Sequence, residues 1–354
     1  MLRSLAGAAA IGGLAGCTGG GGGDEAPVDT HTRYVSTVPL AYYNTYLHRG
    51  DPMVSVDLDN AGSSPVELRV TSVYRDVSEP AVDQVTVPGG ESRTVDQVPV
   101  VKPDAATAVT TTTSVSLAVT IERRGGDGWA TVVEHAPPVE VYPLDTALLW
   151  QRTSDGSVEP LYEYLAAFVT PQAAAVQELL ATAKRYHPDG VLTGYQCGDC
   201  GDDEWYRYTA SQVAAIYHAA KEDYGISYLN LPTAFGRVRD FVQRVNTPRR
   251  SLALQSTNCL DGTLLFASAL EALGIEPEIV VVPGHAFLVW NARPGGLKDA
   301  LETTAIGDAD FATANRLGRD EMHRFGSDLD DGNYDNGEAM PVSRARRDGV
   351  VPLA

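Results

Sequence analysis

Residues 256–304 constrain the fold of this chain more than any other stretch. Apolar residues recur at helical spacing from Cys259 to Leu273, which predicts a helix whose first turn carries a cysteine. A short apolar run follows, then a strand pattern that opens at His285, and Glu302 comes on the next short strand. Because consecutive elements usually pack side by side, we expect these three side chains to lie close together.

The start of this helix is a favourable place for a reactive thiol. Thr257 or Asn258 can cap the helix, which places Cys259 where free N–H groups and the helix dipole favour a thiolate. His285 can then take the thiol proton and later protonate a leaving amine. Glu302 can accept the second imidazole N–H and fix the tautomer. The three residues are therefore candidates for nucleophile, base and supporting acid.

Two further residues near the cysteine need an interpretation. Asp261 would oppose a thiolate if it pointed at the sulfur, so we interpret it as a helix-start or substrate-loop residue. The oxyanion donors would be the backbone N–H of Cys259 and an upstream side chain, for which Gln255 is the best candidate by type. A structural histidine at His285 and an ordinary edge-strand carboxylate at Glu302 are the alternatives.

Three blocks within residues 245–318 resemble the transglutaminase-like superfamily, a circularly rearranged relative of the papain-type proteases. They are Asn-Cys-Leu-Asp with the Ala-Leu-Glu-Ala-Leu-Gly-Ile beyond it, Pro-Gly-His-Ala-Phe, and Leu-Glu-Thr-Thr. The resemblance implies a papain-like α+β fold with Cys259 as nucleophile, His285 as base and Glu302 as third member. It also implies acyl transfer at amide bonds, by peptide hydrolysis or by cross-linking of Gln to Lys, with no cofactor.

The sequence departs from this family in three places. Thr257 and Asn258 stand where a glycine is common before the cysteine, and Phe287 stands where tryptophan is frequent. The acid is Glu302, where aspartate is commoner. These departures bear on substrate fit and efficiency more than on the fold. Some members of the superfamily are inactive scaffolds, so activity does not follow from the fold.

The N-terminus has the pattern of an exported lipoprotein. Residues 1–17 combine a short basic start, an apolar small-residue segment and a lipobox-like Leu-Ala-Gly-Cys that ends at Cys17. Residues 18–29 form a glycine-rich tether. The pattern predicts that Cys17 is lipidated and that the protein is anchored by lipid at the extracellular face of the cell membrane. A chance match of the four residues is the alternative.

The charge of the chain limits its partners. The formal net charge is −19, and lysine accounts for only four of the 27 Lys and Arg residues. An acidic, lysine-poor surface suits a protein that stays soluble at high salt, which predicts a halophile, with an ordinary acidic secreted protein as the alternative. No basic stripe is available for the nucleic-acid backbone, so a nucleic-acid partner is not expected.

The four cysteines fit an oxidising exterior. Cys197 and Cys200 lie close in sequence and can form a disulfide, whereas a zinc site would need further ligands, of which His187 is the nearest histidine. With Cys17 lipidated, Cys259 is left as an unpaired thiol. We therefore predict a disulfide between 197 and 200 and no metal site, and the alternative for Cys259 is a small buried hydrophobic residue.

The remaining sequence divides into a β-rich region and a mixed region. Residues 30–148 contain short alternating runs between turn signals, which predicts an antiparallel, immunoglobulin-like β-sandwich. Residues 149–325 are predicted to form the transglutaminase-like α+β domain, so the fold class is α+β. The polar, acidic residues 326–354 are predicted to form a solvated tail, partly ordered.

Helical spacing predicts further helices early in the mixed region. They cover residues 160–168, 171–186 and 234–245, with another that Thr209 or Ser211 caps and that ends near Gly225.

Three functions remain open. The first is a surface-anchored peptidase or amidase that acts on a protein or peptide substrate through Cys259, His285 and Glu302. The second is protein cross-linking by the same chemistry. The third is a non-catalytic envelope lipoprotein, in which the β-sandwich binds a partner and the thiol domain is a scaffold.

Overall fold

The structure is a computed structural model with 35% helix and 36% strand, which confirms the α+β class. The chain divides into two compact units, Met1–Leu144 with Arg152–Ser157, and Asp145–Gln151 with Val158–Ala354. The structure describes residues 8–14, 28–152, 157–230, 242–330 and 337–353, with backbone only for 8–14, 152 and 327–330.

The first unit is built mainly from strands. Its elements are β1 (Ala8–Leu14), β2 (Val28–Val35), β3 (Thr37–Pro39), α1 (Tyr43–Arg49), β4 (Val54–Asn60), β5 (Val66–Tyr74), β6 (Ala81–Val87), β7 (Ser92–Gln97), α2 (Pro103–Ala108), β8 (Thr113–Gly125), β9 (Gly128–His135) and β10 (Pro138–Tyr142). One sheet has the order β1-β2-β4-β7, and the other has the order β3-β10-β8-β5-β6 with β9 paired to β8. Apart from the parallel pair of β3 and β10, these pairings are antiparallel.

The alternation of side chains along β5 explains how these strands form a core. Val66, Leu68, Val70, Ser72 and Tyr74 are buried on one face, and the residues that alternate with them are partly or fully exposed. Successive side chains of a strand point to opposite faces, so an alternating sequence buries one face only. The alternating pattern of residues 30–148 therefore builds sheets with one apolar side.

The described residues overlap the predicted leader only in part. Ala8–Leu14 form β1 and pair with β2, whereas Cys17 lies outside the described residues. None of the helices in the described part of the chain has the length and apolar character that a bilayer span requires. Export and lipid anchoring therefore stay predictions.

The second unit mixes helices and strands. Its helices are α3 (Ala174–Ala183), α4 (Asp202–His218), α5 (Pro248–Leu254), α6 (Cys259–Ala272), α7 (Phe311–Asp330) and α8 (Val342–Arg347), with 3₁₀ turns at Tyr162–Phe168, Lys184–Tyr186 and Thr303–Ile306 and a π turn at Ala219–Asp223. The strands from Thr146 onward are β11 (Thr146–Leu148), β12 (Trp150–Arg152), β13 (Val158–Pro160), β14 (Ser227–Tyr228), β15 (Val242–Arg244), β16 (Ser256–Thr257), β17 (Pro277–Val282), β18 (His285–Arg293), β19 (Gly296–Leu301) and β20 (Glu338–Pro341).

Helix α6 is the centre of the second unit. It is buried around its whole circumference from Cys259 to Leu270, as expected for a helix with apolar residues on every side. It packs against β17 and β18 of the antiparallel sheet β19-β18-β17-β20, and against α3 and α5. Every residue of β17 is buried. The cysteine therefore sits at the end of an element that the core holds in place.

Three of the predicted helices are wrong in part. Val242–Arg244, the end of the helix predicted at 234–245, form β15 and pair with β11, while residues 234–241 lie outside the described residues. The helix predicted to start at Thr209 or Ser211 is α4, which starts at Asp202. Acidic residues fill its first turn, where the helix dipole favours them, and the Thr209 hydroxyl bonds to a carbonyl one turn earlier. The segment 160–168 is a 3₁₀ helix rather than an α-helix.

Residues 338–353 differ from the predicted solvated tail. β20 pairs with β17 along Glu278–Val281, and α8 follows it. Arg346 of α8 forms a two-bond ion pair with Glu271 of α6, at 2.9 and 3.0 Å, and donates to the Val169 carbonyl at 2.8 Å. A buried strand such as β17 needs a hydrogen-bonding partner on each edge, and β20 is the partner on one of them. The polar composition of this segment gives no sign of that strand in the sequence.

Candidate active site

Cys259 lies at the first position of α6, as predicted. Asn258 is the N-cap, and its side-chain oxygen accepts the Asp261 N–H at 2.8 Å. Cys259 is 2% exposed and is not part of a disulfide. A residue at this position has no intrahelical acceptor for its N–H, so both the thiol and the backbone N–H of Cys259 are placed at the positive end of the helix.

His285 and Glu302 meet at the edge of the sheet. His285 is the first residue of β18, and Glu302 follows the last residue of β19 and caps the 3₁₀ turn that comes next. The His285 Nε2 and the Glu302 Oε2 are 2.7 Å apart. The other carboxylate oxygen accepts the Thr304 N–H at 2.9 Å and its hydroxyl at 2.6 Å. Both oxygens of Glu302 are thus engaged, which fixes the orientation of the carboxylate.

The His285 ring also interacts with Cys259. Burial alone would lower the pKa of His285, but hydrogen bonds to Cys259 and Glu302 and the charges of both partners raise it to about 10. With Nε2 directed at Glu302, Nδ1 is the ring nitrogen that remains for the sulfur. The imidazole is therefore protonated at neutral pH. A protonated imidazole beside a sulfur is the arrangement that supplies a thiolate in thiol enzymes.

Glu302 is an ionised partner for this imidazolium. Burial acts to raise the pKa of Glu302, but the hydrogen bonds from His285 and Thr304 and the charge of His285 outweigh it, and the net pKa lies below its ordinary value. A buried carboxylate that keeps its charge needs this kind of pairing. The structure therefore brings the three predicted site residues together in the order that the sequence predicts.

Asp261 does not direct its hydrogen bonds toward the cysteine. It is fully buried, and its two oxygens accept from the Asn246 N–H at 2.8 Å and the Asn246 side-chain amide at 2.9 Å. Burial raises the pKa of Asp261, against the opposing effect of these bonds. The carboxylate thus ties the segment after β15 to the start of α6, in agreement with the helix-start role that the sequence predicts.

Gln255 lies at the end of α5 and not in the helix that carries Cys259. It has a left-handed backbone with φ of 55°, it is exposed, and its carbonyl accepts the Ser227 N–H at 3.1 Å. Its amide nitrogen lies 3.6 Å from the point where a Cβ on Gly225 would stand. The structure therefore places the side chain beside Gly225, and the oxyanion role of Gln255 stays a prediction.

Tyr228 is a site residue that the sequence reasoning missed. It lies on β14, which pairs in parallel with β16 and matches Tyr228 with Thr257. Burial raises the pKa of Tyr228, and the charges of Cys259 and Glu302 raise it further, while its hydroxyl donates to the Asn230 Oδ1 at 3.5 Å. A two-residue strand has no periodicity that a sequence pattern could show, and no sequence signal pointed to this position.

The absence of a side chain at Gly262 allows Thr303, the neighbour of Glu302, to lie against α6. The Thr303 hydroxyl donates to the Cys259 carbonyl at 3.3 Å. A Cβ on Gly262 would lie 2.8 Å from the Thr303 hydroxyl oxygen, which is closer than real contacts allow. A glycine inside a helix is a sequence signal for close approach of another segment, although it does not identify Thr303 as the partner.

Cys197 and Cys200 are bonded to each other and not to Cys259. Cys197 and Cys200 form a disulfide with a Cα–Cα distance of 5.8 Å. His187, the zinc ligand considered as an alternative, has its Nε2 3.0 Å from the Ser211 hydroxyl. Among the described residues, no group of three or more His, Cys, Asp or Glu side chains is placed to hold a metal ion.

The comparisons with known proteins give little guidance. No protein-family model and no curated protein matches the sequence. A solved structure of a protein from Archaeoglobus fulgidus matches at 12% identity and a TM-score of 0.21, over 39% of this chain and 97% of that one. Exo-chitosanase CsxA of Amycolatopsis orientalis matches at 12% identity and a TM-score of 0.21, over 75% of this chain and 30% of that enzyme. Likeness at this level supports no inference about fold or activity.

Proposed function

We propose that the second unit is a transglutaminase-like thiol enzyme that cleaves amide bonds of peptides or proteins, with Cys259, His285 and Glu302 as its catalytic residues. The observation that carries the proposal is the His285 ring, which is bonded to Glu302 at 2.7 Å and interacts with Cys259 at the start of α6. Acyl transfer through a covalent intermediate requires a nucleophile, a base that contacts it and an acid that orients the base.

The reaction follows from these contacts. The reaction starts with the thiol proton already on His285, and the thiolate of Cys259 attacks the amide carbonyl carbon. The C–N bond then breaks, and the imidazolium gives its proton to the leaving amine, which leaves a thioester on the sulfur. His285 next takes a proton from water, the hydroxyl adds to the thioester, and the carbon–sulfur bond breaks, which releases the acid and restores the thiolate beside the imidazolium.

Two N–H or O–H donors can support the negative oxygen of each tetrahedral intermediate. The backbone N–H of Cys259 is free of an intrahelical acceptor by its position, and the Tyr228 hydroxyl, which donates to the Asn230 Oδ1 at 3.5 Å, would turn to the oxygen as the second donor. Glu302 keeps the imidazole in place throughout, because its second oxygen is held by Thr304. A primary amine in place of water would complete a cross-link by the same steps.

The finer fold and the location belong to the same proposal. The first unit would be an immunoglobulin-like sandwich that acts as a spacer or binding module, and the second unit a papain-like domain. Lipidation at Cys17 would hold the protein at the extracellular face of the membrane. The sheets of the first unit, the lipobox-like sequence and the disulfide of Cys197 and Cys200 support this arrangement.

Alkylation of Cys259 tests the proposal directly. We expect iodoacetamide to react faster with Cys259 than it reacts with the thiol of glutathione at neutral pH. His285→Ala should remove this difference in rate. Mass spectrometry of the Cys259 peptide is the readout. His187→Ala is the matched control, because that ring bonds to Ser211. If Cys259 reacts no faster than glutathione and His285→Ala changes nothing, the thiol domain is a scaffold.

Product analysis separates hydrolysis from transfer. A mixture of capped peptides is incubated with the full chain, with and without an added primary amine. We expect new carboxyl termini in both samples, since water is always present as acceptor. Incorporation of the amine in place of hydrolysis would favour the cross-linking alternative, and an unchanged mixture would contradict the enzyme.

A further inference from the structure

A cavity of about 600 Å³ opens beside the start of α6. Its wall includes Asn258, which directly precedes Cys259, and Thr257 of β16. Leu229, which follows β14, residues from β15 to α5, and Asp145 complete it. Cys259 does not line the cavity itself, but Asn258 and Asp261 on either side of it do. A cavity of this size beside the start of the nucleophile helix has the volume of a binding site for part of a substrate.

The mouth of the cavity presents guanidinium groups. Arg244 and Arg250 both form ion pairs with Asp145, and the Arg250 Nη1 lies 3.2 Å from the Asp145 Oδ2. Both arginine side chains are about half exposed, at 56% and 55%, whereas that of Asp145 is 28% exposed. The other acid of the wall, Asp261, is fully buried with both oxygens engaged by Asn246. Two guanidinium groups against the one partly exposed carboxylate of Asp145 leave a net positive charge here, on a chain whose formal charge is −19.

Aliphatic groups lie beside these charges. Leu229 and Leu254 line the same cavity and are 50% and 55% exposed. Large aliphatic side chains exposed at a cavity lose contact with water when a ligand covers them. The cavity thus offers an apolar surface next to two donors that prefer carboxylate oxygens.

We propose that this cavity is a substrate subsite for a glutamyl residue close to the scissile amide. The two methylene groups of glutamate would lie on Leu229 and Leu254, and its carboxylate would accept hydrogen bonds from Arg244 and Arg250. The inference rests on the proposed function, because the cavity is a substrate subsite only if Cys259 is the nucleophile. It adds the chemical class of the substrate residue.

Binding and cleavage are measured separately to test the subsite. Capped pentapeptide mixtures with a central Glu, Gln or Lys are titrated at low salt into the full chain carrying Cys259→Ser, which cannot form the thioester. We expect central Glu to bind about tenfold tighter than central Gln, which corresponds to ~1.4 kcal/mol. Arg250→Gln should remove this preference, and Arg250→Glu should shift it toward central Lys.

Arg249→Gln is the matched control, since Arg249 is an exposed neighbour on α5 that does not line the cavity. It should keep the preference for glutamate. Equal binding of the three mixtures, no binding at all, or a preference that survives Arg250→Gln would overturn the subsite. Glutamate-selective binding without cleavage by the wild-type chain would leave the subsite standing and refute the enzyme. Cleavage without any preference for glutamate would do the reverse.

Discussion

Replacing Glu302 with glutamine isolates the part of the site that depends on its charge. The pKa of His285 is raised from 6.5 to about 10 by Cys259 and Glu302 together. Removal of one nearby opposite charge lowers a histidine pKa by about 1–3 units, or ~1.4–4 kcal/mol between its two protonation states. We therefore expect the pKa of His285 in Glu302→Gln to fall from about 10 into the range of about 7–9.

The measurement is an NMR titration of the imidazole signals between neutral and alkaline pH. The chain has seven histidines, so His285→Ala identifies the signal of interest. Glu278→Gln is the control, because Glu278 is a buried carboxylate of the same sheet that pairs with Lys298 at 2.8 Å. The control should leave the pKa of His285 unchanged. A value that stays near 10 in Glu302→Gln would refute the contribution of the Glu302 charge to the protonated imidazole.

Two further predictions concern stability. The pKa of His285 is raised and that of Glu302 is lowered, so the pair should stabilise the fold most between pH 4.5 and 6.5, and less as the pH rises toward about 10 or falls below 4.5. Urea unfolding of the wild type and of Glu302→Gln across this pH range measures the stabilisation. A difference in unfolding free energy that does not vary with pH would contradict the prediction. Gly262→Ala should destabilise by about 1–3 kcal/mol, because its Cβ meets Thr303. Gly326→Ala in α7 should instead stabilise by about 0.5–1 kcal/mol, since nothing lies within 4 Å of its Cβ; equal effects of the two substitutions would contradict the contact.

The cysteine helix and its two partners could be read from sequence because local signals define them. An asparagine cap, a helical apolar pattern and a terminating glycine set α6 to within a residue at its C-terminal end. His285 opens β18 as predicted, and Glu302 stands one residue beyond β19 rather than on it. Side-chain spacing within one element is a local property, and it is the property that sequence patterns report most directly.

Elements that depend on distant partners were missed. β15 consists of three residues that pair with β11, about a hundred residues earlier in the chain. β14 consists of two residues, Ser227 and Tyr228, which form a strand only because they pair with β16 next to Cys259. β20 pairs with β17, although β18, β19 and α7 lie between the two strands in the sequence. Such short strands bury too few side chains to show a period, so pairing and not pattern determines them.

Asp261 shows how one contact of this kind changes the chemistry of the site. From sequence, a carboxylate in the first turn of α6 is an objection to a thiolate at Cys259. In the structure its oxygens bond to Asn246, which follows β15 and lines the same cavity as Arg244 and Arg250. The acid that would have disturbed the nucleophile instead joins the nucleophile helix to the wall of the cavity. A substrate bound in that cavity would therefore be positioned by the same interaction that holds the start of α6, so loss of the Asn246 contacts should disturb substrate position and thiol reactivity together.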